Sequence, residues 1–420
     1  MRRTSNQDSL AVALASEDKQ VRCRGHLLVV ADGMGAHAAG ELASQLATDN
    51  IPHSYLKRRD LPPCEAIVAA VEEANGRIHT KGQNSVDFHG MGTTCSCLLL
   101  LPDGALAAHV GDSRVYRLRG KSIEQLTFDH SLVWEMAAAG HASEDEVPPY
   151  VPKNVITRSL GPHPTVKVDL EGPLPIKPGD RYLLCSDGLT GPLNPQLIGM
   201  VLGSLPPEDV AQTLVDLANL LGGPDNITVV VAEVEKALPA VGRTNCQEAS
   251  PAGNASAPAA AMGPAASWGV AAIAGTAALG LVALGQWAAA GAAAVVGVAA
   301  GAAAWGLGRQ ARGADEGNGQ VVGSYGKGPS PRHPAEPTAA PIEMLTATVR
   351  QPAHLETQRA WPFDWREIHE DRGRAYRAIA AGDYRAAVVA YSSAVRRLML
   401  AVRESRSQDL TDSGINLGQD

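Results

Sequence analysis

Four aspartates lie at the ends of short apolar runs, and each has a glycine beside or close to it. Asp32 follows the run 27–31, Asp112 follows 105–110, Asp187 follows 182–185, and Asp225 precedes 227–231. Such a run predicts a buried strand, and glycine lets the backbone turn sharply at its end. Carboxylates gathered there would form a pocket of oxygen ligands, which suits Mg²⁺ or Mn²⁺. The alternative is that each aspartate only caps the element that follows.

The elements that must position these aspartates lie in residues 1–236, where apolar runs alternate with helical patterns. The predicted strands are 9–15, 26–32, 95–101, 105–111, 114–119, 181–186 and 227–234, and the predicted helices are 40–57, 64–81, 131–140 and 207–221. Pro102-Asp103-Gly104 is a hairpin signal between two of the strands. Hairpins mixed with helices predict antiparallel sheets with helices packed outside them.

Composition and charge narrow the class of protein. The 420 residues predict one to three domains, and the net charge of −8 argues against nucleic-acid binding. The polar N-terminus lacks the pattern of a signal peptide. The six cysteines show no framework spacing and predict reduced thiols in a cytosolic domain. We expect Cys95 and Cys97 to point to opposite faces of one strand, where they make a poor metal clamp.

A long uncharged segment follows a linker. Residues 237–266 are rich in Ala, Pro, Gly and Ser, which is a linker composition. Residues 267–308 predict a transmembrane hairpin with spans at 268–284 and 288–307, because a helix of roughly 18–20 apolar residues crosses a bilayer. A hairpin is preferred to a single span because it returns the chain to its starting side. The alternative is an Ala/Gly-rich disordered or coiled segment.

The rest of the chain predicts a second linker, a pair of helices and a tail. Residues 309–360 and 406–420 have the composition of disordered segments. Residues 361–405 predict two helices joined at Gly382-Asp383, and the spacing of Gly, Asp, Tyr and Ala over 382–394 is similar to one tetratricopeptide-type helix pair. Such a pair would bind a protein partner, and the alternative is a helical hairpin without that role.

Seven short motifs, in a fixed order, carry a resemblance to a known family. They are Arg3-Thr-Ser-Asn6-Gln7-Asp8, Asp32-Gly33-Met34-Gly35-Ala36-His37-Ala-Ala-Gly40-Glu41, Gly90-Met91-Gly92-Thr93-Thr94, Gly111-Asp112-Ser113-Arg114-Val-Tyr116, Leu126-Thr127-x-Asp129-His130-Ser131, Ser186-Asp187-Gly188-Leu189-Thr190 and Asp225-Asn226-Ile227-Thr228. Together they resemble the bacterial branch of the metal-dependent, type 2C-like serine/threonine protein phosphatases. The resemblance covers residues 1–236 and none of the rest. It implies an α+β fold, a sandwich of two antiparallel sheets flanked by helices (α-β-β-α), with a two-metal site at one end.

The resemblance also implies a metal site. Asp32 would bridge two Mn²⁺ or Mg²⁺ ions, and the carbonyl of Gly33 would ligate one of them. Asp187 and Asp225 would ligate the other ion, and Asp8 would act directly or through water. Two such ions lower the pKa of a bridging water, and the hydroxide attacks the phosphorus. No cysteine or serine nucleophile is needed.

Further residues take their roles from the same resemblance. Arg3 would hold the substrate phosphate through a bidentate fork. Asp112 is a tentative ligand of a third ion, but Gly191 stands where many members carry an aspartate for that ion. Gln7 replaces a common Glu and Ala36 a common Gly. We interpret Arg114, His109, His130, Thr93 and Thr94 as structural residues with local partners.

The sequence therefore predicts a serine/threonine phosphatase of signal transduction that acts on phosphoproteins and is tethered to the cell membrane through residues 267–308, with its phosphatase domain in the cytoplasm. Residues 1–236 alone are then expected to be soluble. The alternative is a catalytically weak phosphatase-fold scaffold or signalling adaptor.

Overall fold

Two antiparallel β-sheets with helices on their outer faces make up the part of the protein that the structure describes. The computed structural model describes residues 5–35, 38–138, 152, 155–237, 325–326, 330–350 and 365–412. These residues belong to one compact unit, which joins residues 1–247 with residues 324–420.

The described strands and helices follow one another along the chain as follows. The strands are β1 (Asp8–Ala13), β2 (His26–Met34), β3 (Gly92–Thr93), β4 (Cys95–Leu101), β5 (Gly104–Val110), β6 (Arg114–Arg119), β7 (Ser122–Gln125), β8 (Asp169–Leu174), β9 (Arg181–Cys185), β10 (Val229–Glu233) and β11 (Arg332–Pro334). The helices are α1 (Asp18–Arg24), α2 (Ala39–Lys57), α3 (Pro63–Gln83), α4 (Leu132–Ala138), α5 (Asp187–Thr190), α6 (Pro195–Ser204), α7 (Pro207–Leu220), α8 (Ala339–Arg350), α9 (Trp365–Ala380) and α10 (Tyr384–Asp412).

The first sheet has the strand order β1-β2-β4-β5-β8, with β3 paired to β2, and the second has the order β10-β9-β6-β7-β11. The ladders within both sheets are antiparallel. The prediction of two antiparallel sheets with helices is therefore confirmed.

The apolar run of β2 is buried on both of its faces. Leu28 and Val30 pack between the two sheets, in a cluster with Val115 and Leu184 of the second sheet. Leu27, Val29 and Ala31, which alternate with them, pack against the residues of α2 and α3. Because side chains alternate across a strand, a run without polar residues is what a doubly covered strand requires. This burial fixes the position of Asp32 at the end of the run.

The C-terminal part of the chain packs on α6 and α7, which cover the outer face of the second sheet. Helices α8 and α10 contact α6 and α7. Ile342, Leu345, Tyr391 and Val395 belong to the same hydrophobic cluster as the buried face of the second sheet. Strand β11 extends that sheet at its edge, with Arg332 opposite Glu124 of β7. The turn between α9 and α10 lies at Gly382, whose φ is +75°.

The prediction of a disordered linker over 309–360 is wrong for residues 330–350, which include β11 and the whole of α8. In α8 the side chains of Ile342, Leu345 and Val349 are buried, a spacing that places them on one helix face. These residues acquire structure because α6, α7 and α10 provide an apolar surface for that face.

Two expectations for the cysteines also need correction. Cys95 and Cys97 lie on the same face of β4, with their Sγ atoms 3.5 Å apart, because alternate residues of a strand share a face. Cys64, Cys95, Cys97 and Cys185 carry free thiols, whereas Cys23 is in a disulfide. The prediction of reduced thiols is therefore wrong for Cys23.

The predicted transmembrane segments at 268–284 and 288–307 lie outside the described residues. Among the helices that the structure describes, none combines the length and the apolar character needed to cross a bilayer.

Candidate metal centre

Asp8 and Asp32 occupy facing positions on neighbouring strands. They are direct partners in the β1–β2 ladder. Thr94 fixes the backbone of Asp32 from the other side: the Asp32 N–H donates to Thr94 Oγ1 at 2.9 Å, and the Thr94 N–H donates to the Asp32 carbonyl at 2.8 Å. Thr93 Oγ1 donates to the same carbonyl at 2.9 Å. The backbone of Asp32, the predicted bridging ligand, is thus fixed by β1 on one side and by Thr93 and Thr94 on the other.

Gly33 follows Asp32 at a point where no side chain fits. A Cβ at Gly33 would lie 2.1 Å from the carbonyl oxygen of Gly40 and 2.5 Å from that of Gln7. The Gly33 N–H donates to the Gln7 carbonyl at 3.1 Å. Glycine is required here because the start of α2 closes directly over the end of β2.

The second sheet contributes Asp187 and Asp225. Asp187 is the first residue of α5, directly after β9, and Asp225 lies in the loop between α7 and β10. The two segments touch closely, because a Cβ at Gly188 would lie 1.9 Å from the carbonyl oxygen of Asn226. This contact brings the two ligand-bearing segments together.

Asp112 lies in the turn after β5, and that turn is held by a histidine. The Gly111 N–H donates to His130 Nδ1 at 2.9 Å, and the His130 N–H donates to the Gly111 carbonyl at 2.7 Å. Nε2 of His130 lies 2.7 Å from Oδ2 of Asp169. His130 therefore has local partners, as predicted, and they fix the backbone beside Asp112.

Burial and mutual repulsion perturb the carboxylates. Burial raises the pKa of Asp8, and the charges of Asp187 and Asp225 add to this effect, while hydrogen bonds from Ser186 and Thr228 oppose it. Such groups cannot all be ionised together unless positive charge is nearby.

Asp32 and Asp112 show the same perturbation. The pKa of Asp32 lies well above its usual value, because of burial first and then the charges of Asp8 and Asp187 and a hydrogen bond with Asp187. Burial, followed by the charges of Asp187 and Asp129, raises the pKa of Asp112 to about 7. Negative charge is therefore concentrated where the two sheets meet.

The donor set fits divalent cations. Oδ1 of Asp8 and Oδ1 of Asp112 are buried and have no hydrogen-bond partner among the described residues, so each leaves a lone pair for a ligand. Within the described ranges, no three or more His, Cys, Asp or Glu side chains already have the spacing of a ligand set. The fit therefore rests on the chemistry of the carboxylate oxygens and on the placement of these aspartates in neighbouring segments. Mg²⁺ needs few protein ligands, because it characteristically completes its coordination shell with water.

Some predicted residues lie outside the described part of the chain. Arg3, Ala36 and His37 are among them, and the role of Arg3 stays a prediction. The interpretation of Arg114 is confirmed, because its Nη2 lies 2.6 Å from Oδ2 of the buried Asp129.

Sequence reasoning missed one residue of the site, Ser186. Its Oγ donates to Oδ2 of Asp8 at 2.7 Å and accepts from the Thr228 N–H at 3.0 Å. Its position directly before Asp187 was the only signal in the sequence. For Thr94, interpreted from the sequence as a structural residue, the structure adds contacts that hold Asp32.

Comparison with known proteins identifies the fold that carries these carboxylates as that of a protein phosphatase. The family model for Protein phosphatase 2C matches residues 2–226. The chain is 38% identical over 214 residues to a putative protein phosphatase 2C-type of Streptococcus pyogenes, covering 50% of this chain and 86% of the relative. It is 35% identical over 240 residues to Protein phosphatase PhpP of Streptococcus pneumoniae, covering 56% of this chain and 94% of the relative.

A solved structure gives the same result. Serine/threonine phosphatase Stp1 from Staphylococcus aureus superimposes with a TM-score of 0.50 at 30% identity, covering 56% of this chain and 92% of that chain. The chain belongs to the protein phosphatase 2C family. It is a serine/threonine protein phosphatase of a family that depends on divalent metal ions.

Proposed function

We propose that this protein hydrolyses phosphoserine and phosphothreonine in phosphoproteins with two Mn²⁺ or Mg²⁺ ions. Asp32 would hold both ions, the carbonyl of Gly33 one of them, and Asp187 and Asp225 the other, with Asp8 acting directly or through water. The observation that carries this proposal is geometric: Asp8 and Asp32 are direct partners in the β1–β2 ladder, and Ser186, the residue before Asp187, donates a hydrogen bond to Asp8.

When bound, two divalent ions neutralise the charge of a phosphate ester and make water a competent nucleophile. The chain itself supplies orientation. Ser186 directs the carboxylate of Asp8, and Thr94 fixes the backbone of Asp32. Arg3 would bind the phosphate oxygens through two parallel hydrogen bonds, which a lysine could not reproduce.

The test is hydrolysis of a phosphothreonine peptide by the full chain with added Mn²⁺. We expect Asp32→Ala and Asp187→Ala each to lower kcat/KM by about a thousandfold, or about 4 kcal/mol of transition-state stabilisation. Asp103→Ala is the matched control, because Asp103 lies at the β4–β5 turn. Activity that survives both site changes would contradict the proposal.

A third ion near Asp112 stays a prediction. Asp112 and Asp187 are close enough for their charges to interact. Gly191, where many members have a carboxylate, only donates its N–H to the Asp187 carbonyl at 2.7 Å. Calorimetric titration with Mn²⁺ decides: three ions in the wild type and two in Asp112→Asn support the site, and two in both exclude it.

We also propose that residues 267–308 tether the protein to the cell membrane, with the phosphatase domain in the cytoplasm. The support is the absence of charge over 268–308. Strand β10 and Tyr325, which pairs with Gly172, belong to one unit. The chain that connects them would therefore cross a bilayer an even number of times, which favours two spans over one.

Cell fractionation tests the tether. We expect the full chain in the membrane fraction after a high-salt wash, and a variant without residues 267–308 in the soluble fraction. Full-length protein in the soluble fraction would contradict the tether without affecting the phosphatase proposal.

A protein partner of the C-terminal helices stays a prediction as well. The exposed side of α9, with Arg366, Arg374 and Arg377, is the face that such a partner would contact. Cross-linking mass spectrometry of the full chain in cells would test it, and cross-links confined to this chain would contradict it.

A further inference from the structure

A buried carboxylate on α7 obtains its positive partner from the far end of the chain. Asp216 is 1% exposed. Its Oδ1 accepts hydrogen bonds from Gln212 Nε2, at 2.9 Å, and from Nη2 of Arg403 in α10. Arg403 itself is 41% exposed, but its removal leaves the buried carboxylate without its positive partner. The place of α7 in the fold therefore depends on α10.

The C-terminal end of α7 is also packed by the same helices. Leu220, the last residue of α7, lies in a hydrophobic cluster with Ile368 of α9 and with Ala394 and Leu398 of α10. Both polar and apolar contacts thus fix the end of α7 that leads toward Asp225.

The connection from α7 to Asp225 is short and rigid. The Gly222 N–H donates to the Asn219 carbonyl at 3.0 Å, and the Gly223 N–H donates to the Ala218 carbonyl at 3.1 Å. This pair of bonds is a Schellman motif, and Gly222 has the positive φ, +113°, that the motif needs. Only Pro224 separates the motif from Asp225, so a displacement of α7 is transmitted to the metal ligand.

We propose that helices α9 and α10 position Asp225 for metal binding through α7, with Arg403 and Leu398 as the positioning residues. The inference rests on the proposed two-metal site and concerns a part of the chain that the family match does not include. A partner that displaced α10 would weaken metal binding without touching the site.

The first test measures Mn²⁺ binding to the full chain by calorimetry, together with the Mn²⁺ dependence of p-nitrophenyl phosphate hydrolysis. The variants are Arg403→Ala, Arg403→Lys and Leu398→Ala. Arg385→Ala is the matched control, because Arg385 is also on α10 but is exposed and lies near the opposite end of that helix.

We expect Arg403→Ala and Leu398→Ala to raise the Mn²⁺ dissociation constant about tenfold, the scale for groups that support metal ligands. The kcat at saturating Mn²⁺ should stay within about twofold, and Arg403→Lys should restore part of the affinity. If the Arg403→Ala variant folds and binds Mn²⁺ with wild-type affinity, the inference is overturned but the proposed function is not. A wild-type chain that binds no Mn²⁺ overturns the proposed function as well.

The second test needs no variant, so a failure to fold cannot obscure it. Coupling between two sites is reciprocal, so Mn²⁺ should slow amide hydrogen exchange at 216–223, over the end of α7 and the turn after it, and at 394–405 in α10. Exchange in α3 should not change. Slower exchange at the site without any change in α10 overturns the inference.

Discussion

The hydroxyl of Ser186 donates a hydrogen bond to Oδ2 of Asp8 at 2.7 Å, across 178 positions of sequence. Asp8 begins a strand of the first sheet, whereas Ser186 directly follows β9 of the second sheet. The same hydroxyl accepts from the N–H of Thr228, next to β10. One small side chain thus ties the two sheets together at the metal centre.

Ser186→Ala should weaken metal binding without unfolding the protein. It removes one of the hydrogen bonds to the Asp8 carboxylate, the other coming from Thr228, and leaves the buried Thr228 N–H without its acceptor. We expect the Mn²⁺ concentration for half-maximal activity to rise about tenfold. Ser9→Ala is the control, because the Ser9 hydroxyl instead contacts Thr48 of α2. Equal Mn²⁺ dependence in the two variants would show that the Ser186 contact has no role.

Gly188→Ala should weaken Mn²⁺ binding, whereas the same substitution at a helix position with free space around it should not. Its Cβ would lie 1.9 Å from the Asn226 carbonyl oxygen, so the Asp225 loop must move. We expect Mn²⁺ affinity to fall by more than about tenfold. At Gly76 of α3 no heavy atom lies within 4 Å of the added Cβ, so Gly76→Ala should raise stability by about 0.5–1 kcal/mol. Calorimetry and urea unfolding measure the two effects.

Glu73 should make the free energy of unfolding fall as the pH is lowered into the acid range. Hydrogen bonds from Ser54 and Arg77 lower the pKa of Glu73 to about 2. Between pH 4.5 and 2 the unfolded chain binds a proton that the folded chain does not. The stabilisation is therefore complete above about pH 4.5 and is lost as the pH falls toward 2.

Glu73→Gln should consequently reduce the free energy of unfolding at pH 7 by about 1 kcal/mol, a figure discounted because the side chain is 32% exposed. The difference from wild type should shrink at pH 3. Urea unfolding at both pH values measures it, with the exposed neighbour Glu72→Gln as control. A difference that is the same at both pH values would contradict the assignment.

A chain that ends at residue 237 should aggregate. Helix α6 is buried on all sides, including Ile198, Met200, Val201 and Leu202, because the second sheet covers one side and the C-terminal segment the other. Truncation would expose that apolar surface, which reverses the expectation from sequence that residues 1–236 are soluble alone. Size-exclusion chromatography should show oligomers, whereas a chain lacking only 267–308 should stay monomeric. A monomeric truncated chain would contradict this prediction.

The metal-site side of the fold was predictable from local signals. The run before Asp32 indicated a strand, and the structure has β2 there. Helices α2 and α3 lie within a few residues of the predicted 40–57 and 64–81. Each of these elements has a repeated pattern along its own length, so the sequence carried the information locally.

Three of the elements that were missed, α6, β8 and β11, lack such a pattern. Helix α6 is apolar on every face and so has no helical period in its sequence. Two residues at its start nevertheless gave a signal. Asn194 caps the helix by accepting a hydrogen bond from the Leu197 N–H at 2.9 Å, and Pro195 occupies the first helical position. Strand β8 contains Asp, Glu, Gly and Pro. Strand β11 is only Arg-His-Pro. It forms a strand because it pairs with the edge strand β7 of the second sheet.

The position of β11 has a consequence for biosynthesis. Because the ribosome makes the chain from its N-terminus, β7 emerges long before residues 332–334, which pair with it. The nascent second sheet therefore keeps an open edge until most of the polypeptide has been translated, and unpaired edges promote association with other chains. The pairing that covers the edge of β7 is therefore a late event, which has to wait until residues 332–334 have been made.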